Sequence, residues 1–144
     1  MTHDKHEILK LAKRLFVQAE WPYIAACLET MIPQSRTLYV DGELAAFIVV
    51  NKAESGNAFI SYCGVSSEHQ SKGYGSKLLK ETLTSIFQVD FPAVRLYVDD
   101  WNCGARRLYE RLGFKQVGSA VIAVQACTVM ELVAPATPTL QTKC

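Results

Sequence analysis

The sequence lacks the features that would take it outside the class of small soluble proteins. It contains no apolar run long enough to span a membrane, and its polar, charged first residues form no signal-peptide core. The five cysteines are scattered and include no C-x-x-C pair, which favours reduced thiols in a cytoplasmic protein over a disulfide framework. The sequence also lacks a large excess of either charge, because it has 15 Lys and Arg and 14 Asp and Glu. A net charge of +1 gives no electrostatic reason to expect nucleic acid as a partner.

A single domain is the organisation that length and composition favour. A chain of 144 residues with 49% hydrophobic and 20% charged residues can bury a core without disulfides or a structural metal. We expect one domain over residues 1–133, followed by a Pro- and Thr-rich tail over residues 134–144.

Apolar spacing predicts two helices and then a hairpin in the first half of the chain. Asp4 and Glu7 have the spacing of a capping box before an apolar stripe at helical intervals. Pro22 suits the first turn of a second helix, which Pro33 would end. Two β-rich runs follow, and Asp41-Gly42 between them is typical of a hairpin turn.

The predicted order of elements is α-α-β-β-β-α-β-α-β-β. The predicted strands cover residues 37–40, 44–51, 58–65, 94–98, 115–121 and 126–133. A third helix should end at about residue 88, and Asn102 can cap a fourth helix that Gly113 follows. This order predicts an α/β fold, a mixed sheet with helices on its faces.

The segment between the third strand and the third helix has the properties of a phosphate-binding loop. Gly73 and Gly75 let backbone amides approach a bulky anion, and the helix N-terminus adds the positive end of its dipole. No Walker A string exists in the chain, and a Rossmann fingerprint would need a small residue where Leu78 stands. What fits is Q-x-x-G-x-G, at residues 70–75.

Two motifs together resemble the GNAT superfamily of acetyl-CoA-dependent N-acetyltransferases. Residues 70–75 resemble the pyrophosphate loop of that family, and residues 102–114 resemble its N-x-x-A-x-x-L-Y-x-x-x-G-F segment at every named position. The resemblance covers about residues 38–133. It implies the GNAT acyl-CoA N-acyltransferase fold, with a mixed, mostly antiparallel sheet flanked by helices.

The resemblance also implies roles for individual residues in binding acetyl-CoA, the cosubstrate, with no metal required. Tyr109 would be the general acid that returns a proton to the departing thiolate, and Asn102 would lie beside the pantetheine arm. Backbone groups of the strand before the loop, from Cys63 to Val65, would pair with the same arm. The pyrophosphate would be held by the amides of Gln70, Ser71, Lys72, Gly73, Tyr74, Gly75 and Ser76.

The chain departs from the family pattern where many members place a carboxylate. The strand before the loop, residues 59–65, contains no acid, so the base stays open among ordered water, Tyr62, Glu54 and an amine that arrives neutral. Members commonly open with a β-strand, whereas this chain is expected to start in a helix. Trp21, Tyr23 and Cys27 could line the acceptor pocket or belong to the core.

We therefore predict an N-acetyltransferase that moves an acetyl group from acetyl-CoA to a primary amine by direct attack. The acceptor would be a small molecule or a peptide, with no nucleic acid or membrane as partner, and a homodimer could form through the apolar last strands. The alternative is a non-catalytic acyl-CoA-binding sensor or partner-binding module of the same fold, which the missing carboxylate favours. An acetyltransferase acting on charged tRNA is disfavoured by the near-neutral charge.

Overall fold

The computed structural model describes residues 2–122 and 124–135 of the chain. Most of the predicted tail, residues 136–144, lies outside the described residues. No helix among the described residues is long and apolar enough to cross a membrane.

The predicted order of helices and strands is confirmed over the described residues. Two short 3-10 turns, Gln18–Glu20 and Ser67–His69, lie between the main elements. These elements are α1 (Thr2–Leu15), α2 (Trp21–Glu29), β1 (Arg36–Val40), β2 (Glu43–Lys52), β3 (Ala58–Val65), α3 (Tyr74–Phe87), β4 (Ala93–Asp99), α4 (Cys103–Arg111), β5 (Lys115–Ile122) and β6 (Gln125–Val133).

The strands form one mixed sheet in the order β1-β2-β3-β4-β6-β5. Every neighbouring pair is antiparallel except β3 and β4, which α3 connects in parallel. The predicted fold class, a mostly antiparallel sheet flanked by helices, is therefore confirmed.

The helices cover both faces of the sheet, and β2 is buried between them. Alternate side chains of β2 point to opposite faces, so Phe47 and Val49 pack under α1 and α2 while Ile48 and Val50 pack under α3. Burial on both faces explains why residues 44–50 form a continuous apolar run instead of an alternating one.

Local signals at the helix ends and turns were mostly correct, with the start of α1 and the end of α2 as exceptions. The Asp41-Gly42 turn has positive φ at both residues, 51° and 80°, as the hairpin prediction requires. The capping box at Asp4 was wrong, because α1 already begins at Thr2 and Asp4 lies in its first turn. Its carboxylate instead accepts a hydrogen bond of 2.9 Å from the Tyr39 hydroxyl on β1, a tertiary contact that outweighs a local cap.

The chain enters the sheet only after two helices. Among the described residues no strand precedes α1, so β1 forms one edge of the sheet and β5 forms the other. The helix α2 begins beside Pro22 as predicted, but it ends at Glu29, well before Pro33.

Candidate active site

The central feature of the site is a gap between β3 and β4. Their parallel pairing covers only Ala58–Val94, Phe59–Arg95 and Ile60–Leu96. Beyond Ile60, β3 continues to Val65 while remaining paired with β2 on its other edge. The backbone groups of residues 61–65 that face β4 therefore have no strand partner within the described part of the chain, and an extended ligand could pair with them.

A β-bulge lies where the two strands separate. Val49 opposes Tyr62 and Val50 opposes Ile60, so Ser61 is the extra residue on β3. A bulge bends its strand and increases the local twist, which directs the rest of β3 away from β4. The Ser61 hydroxyl donates a hydrogen bond of 2.5 Å to the Asn51 side-chain oxygen, which holds the bulge to β2.

The predicted phosphate-binding loop follows the open end of β3. Ser71 and Gly73 adopt left-handed backbone conformations, with φ of 64° and 81°, and α3 starts directly after them. The backbone amide of Lys77 donates a hydrogen bond of 3.0 Å to the carbonyl of Gly73, four residues earlier, and this is the first such bond of the helix. The N–H groups of the first helical turn precede it and have no carbonyl one turn earlier, so they are available to an anion.

Two contacts connect the loop and the start of α3 to β3. The Gln70 amide donates to the Val65 carbonyl at 3.1 Å, across the turn between strand and loop. A Cβ placed on Gly75 would lie 3.4 Å from the Val65 Cγ2, so α3 packs closely on the strand at this point. A side-chain methyl at position 75 would therefore make ordinary van der Waals contact with Val65.

An apolar cleft of about 320 Å³ opens beside the gap and the loop. Its walls come from β2, β3, the loop, α3 and α4, and the loop and α4 carry the two motifs. The residues that line it are Ala46, Phe47, Ile48, Cys63, Gly64, Val65, Gln70, Gly75, Leu78, Leu79, Leu108 and Tyr109.

Tyr109 and Cys63 face each other across this cleft. The Tyr109 hydroxyl on α4 lies 3.9 Å from the Cys63 sulfur on β3, and the tyrosine ring packs against Phe114 with centroids 5.6 Å apart. The pKa of the Tyr109 phenol is raised, first by the charge of Cys63 when ionised, then by desolvation and the hydrogen bond to that sulfur. The phenol therefore keeps its proton at neutral pH and can donate it.

Cys63 is accessible through the mouth of the cleft but surrounded by protein on its other sides. Desolvation raises the pKa of its thiol, and the hydrogen bond between the thiol and the Tyr109 hydroxyl opposes this only in part. A thiol with a raised pKa is a poor nucleophile at neutral pH.

Asn102 caps α4, as its position in the sequence predicts. Its side-chain oxygen accepts a hydrogen bond of 3.1 Å from the Ala105 amide. The helix that carries Tyr109 therefore starts at a fixed point. The predicted contact of Asn102 with the pantetheine arm stays a prediction.

On the opposite face of β3, the structure reveals a contact that the sequence did not indicate. The Tyr62 hydroxyl donates a 2.7 Å hydrogen bond to the Glu20 carboxylate, at the N-terminus of α2. Desolvation and then this hydrogen bond raise the pKa of Tyr62, so its phenol stays protonated at neutral pH and cannot take a proton from the amine. Glu20 lies 42 positions from Tyr62 and carries no motif, so only the tertiary fold brings the two residues together.

Several other candidates lie away from the cleft. Glu54 is exposed in the turn that precedes β3, whereas Cys63 lies near the other end of that strand. Glu68 forms an exposed ion pair of 3.4 Å with Arg14. Trp21 donates to the Phe16 carbonyl at 3.0 Å, Tyr23 is 64% exposed, and Cys27 packs on the core under α1 and α2.

Comparisons with known proteins agree with this geometry. A glycine-containing loop at a helix N-terminus follows the strand whose parallel pairing is split. The chain belongs to the acetyltransferase (GNAT) family, whose model matches residues 6–114. A comparison with curated protein sequences gives no match.

Three of the solved structures with a similar fold are described here. Ard1 from Thermoplasma volcanium has a TM-score of 0.81 at 20% identity, covering 94% of this chain and 95% of its own. The ribosomal-protein-S18-alanine N-acetyltransferase of Escherichia coli has a TM-score of 0.78 at 20% identity, with 95% and 92% covered. Naa50 of Arabidopsis thaliana, in complex with the bisubstrate analogue CoA-Ac-MVNAL, has a TM-score of 0.72 at 20% identity, with 92% and 93% covered. At these identities the likeness establishes the fold alone.

Proposed function

We propose that this protein is an N-acetyltransferase that transfers the acetyl group of acetyl-CoA to a primary amine by direct attack. The observation that carries the proposal is the position of the Tyr109 hydroxyl, 3.9 Å from Cys63 at the gap between β3 and β4. A proton donor is thereby held beside an unpaired strand edge and a phosphate-binding loop, which is the combination that the reaction needs.

The residues around the gap fit acetyl-CoA in three respects. The free amides at the start of α3 suit the pyrophosphate, and a Cβ on Gly73 would meet no atom within 4 Å, so the loop is open on that side. The unpaired edge of β3, with Cys63 and Val65, suits the amide-containing pantetheine arm. The apolar walls of the cleft suit its methylene groups. When bound, acetyl-CoA supplies a thioester whose carbonyl carbon is open to attack by an amine.

In this proposal a neutral amine attacks the carbonyl carbon, and Tyr109 gives its proton to the sulfur as the carbon–sulfur bond breaks. The proton that the nitrogen loses as the carbon–nitrogen bond forms passes through solvent and restores the Tyr109 phenol. Asn102 fixes the start of α4 and thereby the height of Tyr109 over the gap. The amides of residues 70–76 hold the diphosphate end, so that the acyl end lies at the gap. A backbone amide near Val65 would stabilise negative charge on the carbonyl oxygen.

Peptides with a free N-terminal amine are the first acceptors to test. The structural neighbours include a complex with the peptide conjugate CoA-Ac-MVNAL and an acetyltransferase named for an alanine of a ribosomal protein. Peptides beginning with Met-Val or Ala therefore stand first in an amine panel, followed by free lysine, polyamines and aminoglycosides.

The test is free-thiol release from acetyl-CoA across this panel, with calorimetric acetyl-CoA binding measured alongside. Release with one amine class supports the transferase and identifies its acceptor. Tight binding without release on any amine favours the sensor or partner-binding alternative, whose support is the absence of a carboxylate on β3. Absence of binding contradicts the assignment of residues 70–76.

A further inference from the structure

Asn51, near the end of β2, connects three elements through its side chain. Its amide nitrogen donates a hydrogen bond of 3.1 Å to the Cys27 carbonyl in the last turn of α2 and one of 2.9 Å to the Thr30 hydroxyl just after that helix. Its oxygen accepts the bond of 2.5 Å from Ser61 on β3. Because the nitrogen is bound at the end of α2, the amide plane is fixed and its oxygen is directed at Ser61.

Ser61 is the extra residue of the bulge, and the pairs on either side of the bulge do not determine that choice. Ile60 lies opposite Val50 before the bulge, and Gly64 lies opposite Phe47 after it. Between these two pairs, three residues of β3 face two residues of β2, so each of the three is a candidate for the extra position. A contact outside the ladder is needed to select Ser61.

Packing fixes the pair formed by Gly64 and Phe47. A Cβ on Gly64 would lie 2.7 Å from the Leu15 Cδ1 and 3.0 Å from the Phe47 Cε2, closer than a side chain normally approaches. A ladder without the bulge would bring Cys63 opposite Phe47. The Cys63 side chain would then displace Leu15 on α1 or the buried ring of Phe47, so this register is disfavoured.

The position of the bulge determines what β3 presents to the gap. With Ser61 as the extra residue, Tyr62 lies opposite Val49. If Tyr62 or Cys63 were the extra residue, Ser61 would take that place opposite β2. Successive side chains and backbone groups of a strand point in alternate directions, so such a shift would change which groups of residues 61–63 face the gap.

We infer that Asn51 is a positioning residue for the cofactor: it holds the extra residue of the bulge at Ser61 and thereby sets the backbone groups that β3 offers to an extended ligand in the gap. This inference rests on the proposed function, in which that ligand is the pantetheine arm of acetyl-CoA. Asn51 is outside the set of residues that line the cleft, so it acts through Ser61. The end of α2 takes part as well, because it holds the Asn51 amide.

The test variant is Ser61→Ala, which removes the hydroxyl that binds Asn51. The matched control is Ser35→Ala. The Ser35 hydroxyl also binds β2, through the Val50 amide at 2.8 Å and the Val50 carbonyl at 3.3 Å. Ser35 directly precedes β1, however, and β1 pairs with the edge of β2 that faces away from β3. Ser61→Thr keeps the hydroxyl and serves as the conservative variant that should restore the wild-type behaviour.

Two quantities are measured on the full chain. Calorimetry gives the dissociation constant of acetyl-CoA for each variant. Amide hydrogen exchange followed by NMR gives the opening of residues 61–65, with residues 93–99 of β4 as an internal reference. Urea unfolding shows how far each substitution changes the stability of the whole fold.

We expect Ser61→Ala to weaken acetyl-CoA binding about fivefold, the factor that the net free energy of one hydrogen bond gives, because other positions of the bulge then become populated. Residues 61–65 should exchange about fivefold faster or more, while β4 is unchanged. The KM for acetyl-CoA should rise by the same factor at nearly constant kcat. Ser35→Ala and Ser61→Thr should bind acetyl-CoA within about twofold of the wild type, and Asn51→Ala, if it folds, should behave as Ser61→Ala does.

The two measurements separate this inference from the proposed function. If the wild type binds acetyl-CoA and Ser61→Ala binds it equally well, the inference is wrong and the transferase proposal is unaffected. Equal exchange of residues 61–65 in Ser61→Ala and Ser35→Ala overturns the inference whether or not acetyl-CoA binds. If the wild type binds no acetyl-CoA, the proposed function fails, and the exchange rates alone decide whether Asn51 holds the bulge.

Discussion

Tyr62 and Cys63 are neighbours in β3, yet they serve opposite faces of the sheet. The Tyr62 hydroxyl lies 2.7 Å from a Glu20 carboxylate oxygen, whereas the Cys63 sulfur lies 3.9 Å from the Tyr109 hydroxyl. The period-two geometry of a strand produces this division, and both residues lie beyond Ile60, where the pairing of β3 with β4 ends. One short stretch of strand thus separates an acidic side from a proton-donating side.

The first prediction concerns the hydroxyl of Tyr109. Tyr109→Phe removes the proton donor but keeps the ring that packs on Phe114. We expect kcat to fall about a hundredfold, within the range for loss of a general acid, while the dissociation constant of acetyl-CoA changes little. Thiol-release kinetics and calorimetry measure the two quantities.

The matched control is Tyr39→Phe, which removes a hydroxyl bound to Asp4 between β1 and α1, outside the cleft. Its kcat should remain within about twofold of the wild type. If both variants lose activity equally, the loss reflects stability and Tyr109 has no special role.

The second prediction uses two glycines with similar backbone conformations. Gly73 has φ of 81° and Gly56 has φ of 93°, and an added Cβ would meet no atom within 4 Å at either position. Substitution by Ala should therefore destabilise both variants by a similar amount, roughly 1 kcal/mol, because of the left-handed conformation alone. Only Gly73→Ala should also weaken acetyl-CoA binding, since it alters the loop whose amides would hold the pyrophosphate. Chemical denaturation and calorimetry test this, and equal acetyl-CoA affinity in both variants would count against the loop.

The third prediction concerns direct attack. The raised pKa of the Cys63 thiol disfavours the thiolate, so Cys63 should not carry the acetyl group between the two substrates. Intact-mass spectrometry of the wild type after incubation with acetyl-CoA alone should show no acetylated protein. Stoichiometric acetylation that maps to Cys63 and disappears on addition of an amine would indicate a covalent route instead.

The fourth prediction follows from the phenol of Tyr39. Desolvation and then the hydrogen bond to Asp4 raise its pKa from 10.0 to about 12. Between these values the folded state binds more protons than the unfolded state, so folding stability should fall as pH rises from about 10 to about 12. The stability of Tyr39→Phe should change less over that window in urea titrations. A steeper loss in the variant would contradict the assignment.

Most of the fold could be predicted because its signals are local. The alternation in β4, the positive-φ turn at Asp41-Gly42 and the N-cap at Asn102 depend only on nearby residues. Asp4 was misjudged because its carboxylate binds Tyr39, which is 35 positions away. A local pattern cannot indicate a contact of that kind.

The candidate site also combines features that local motifs predict with features that depend on tertiary packing. The loop at residues 70–76 and the position of Tyr109 follow from motifs, and the structure places both at one cleft. The gap between β3 and β4 depends on a bulge at Ser61 and on a register that no sequence pattern specifies. Glu20 could have been noticed only as an acid at the start of α2, because its partner on β3 is chosen by tertiary packing.

The short junction between β3 and β4 also divides the sheet into two three-stranded blocks. Three register pairs join the blocks there, whereas β3 shares seven with β2, and β4 shares seven with β6. Each block is thus held more firmly within itself than to the other, and the junction is the weakest seam in the hydrogen-bond ladder. A ligand that lies in the gap and forms hydrogen bonds to both β3 and β4 would take the place of a seventh strand. Ligand binding would then strengthen the connection between the two halves of the sheet.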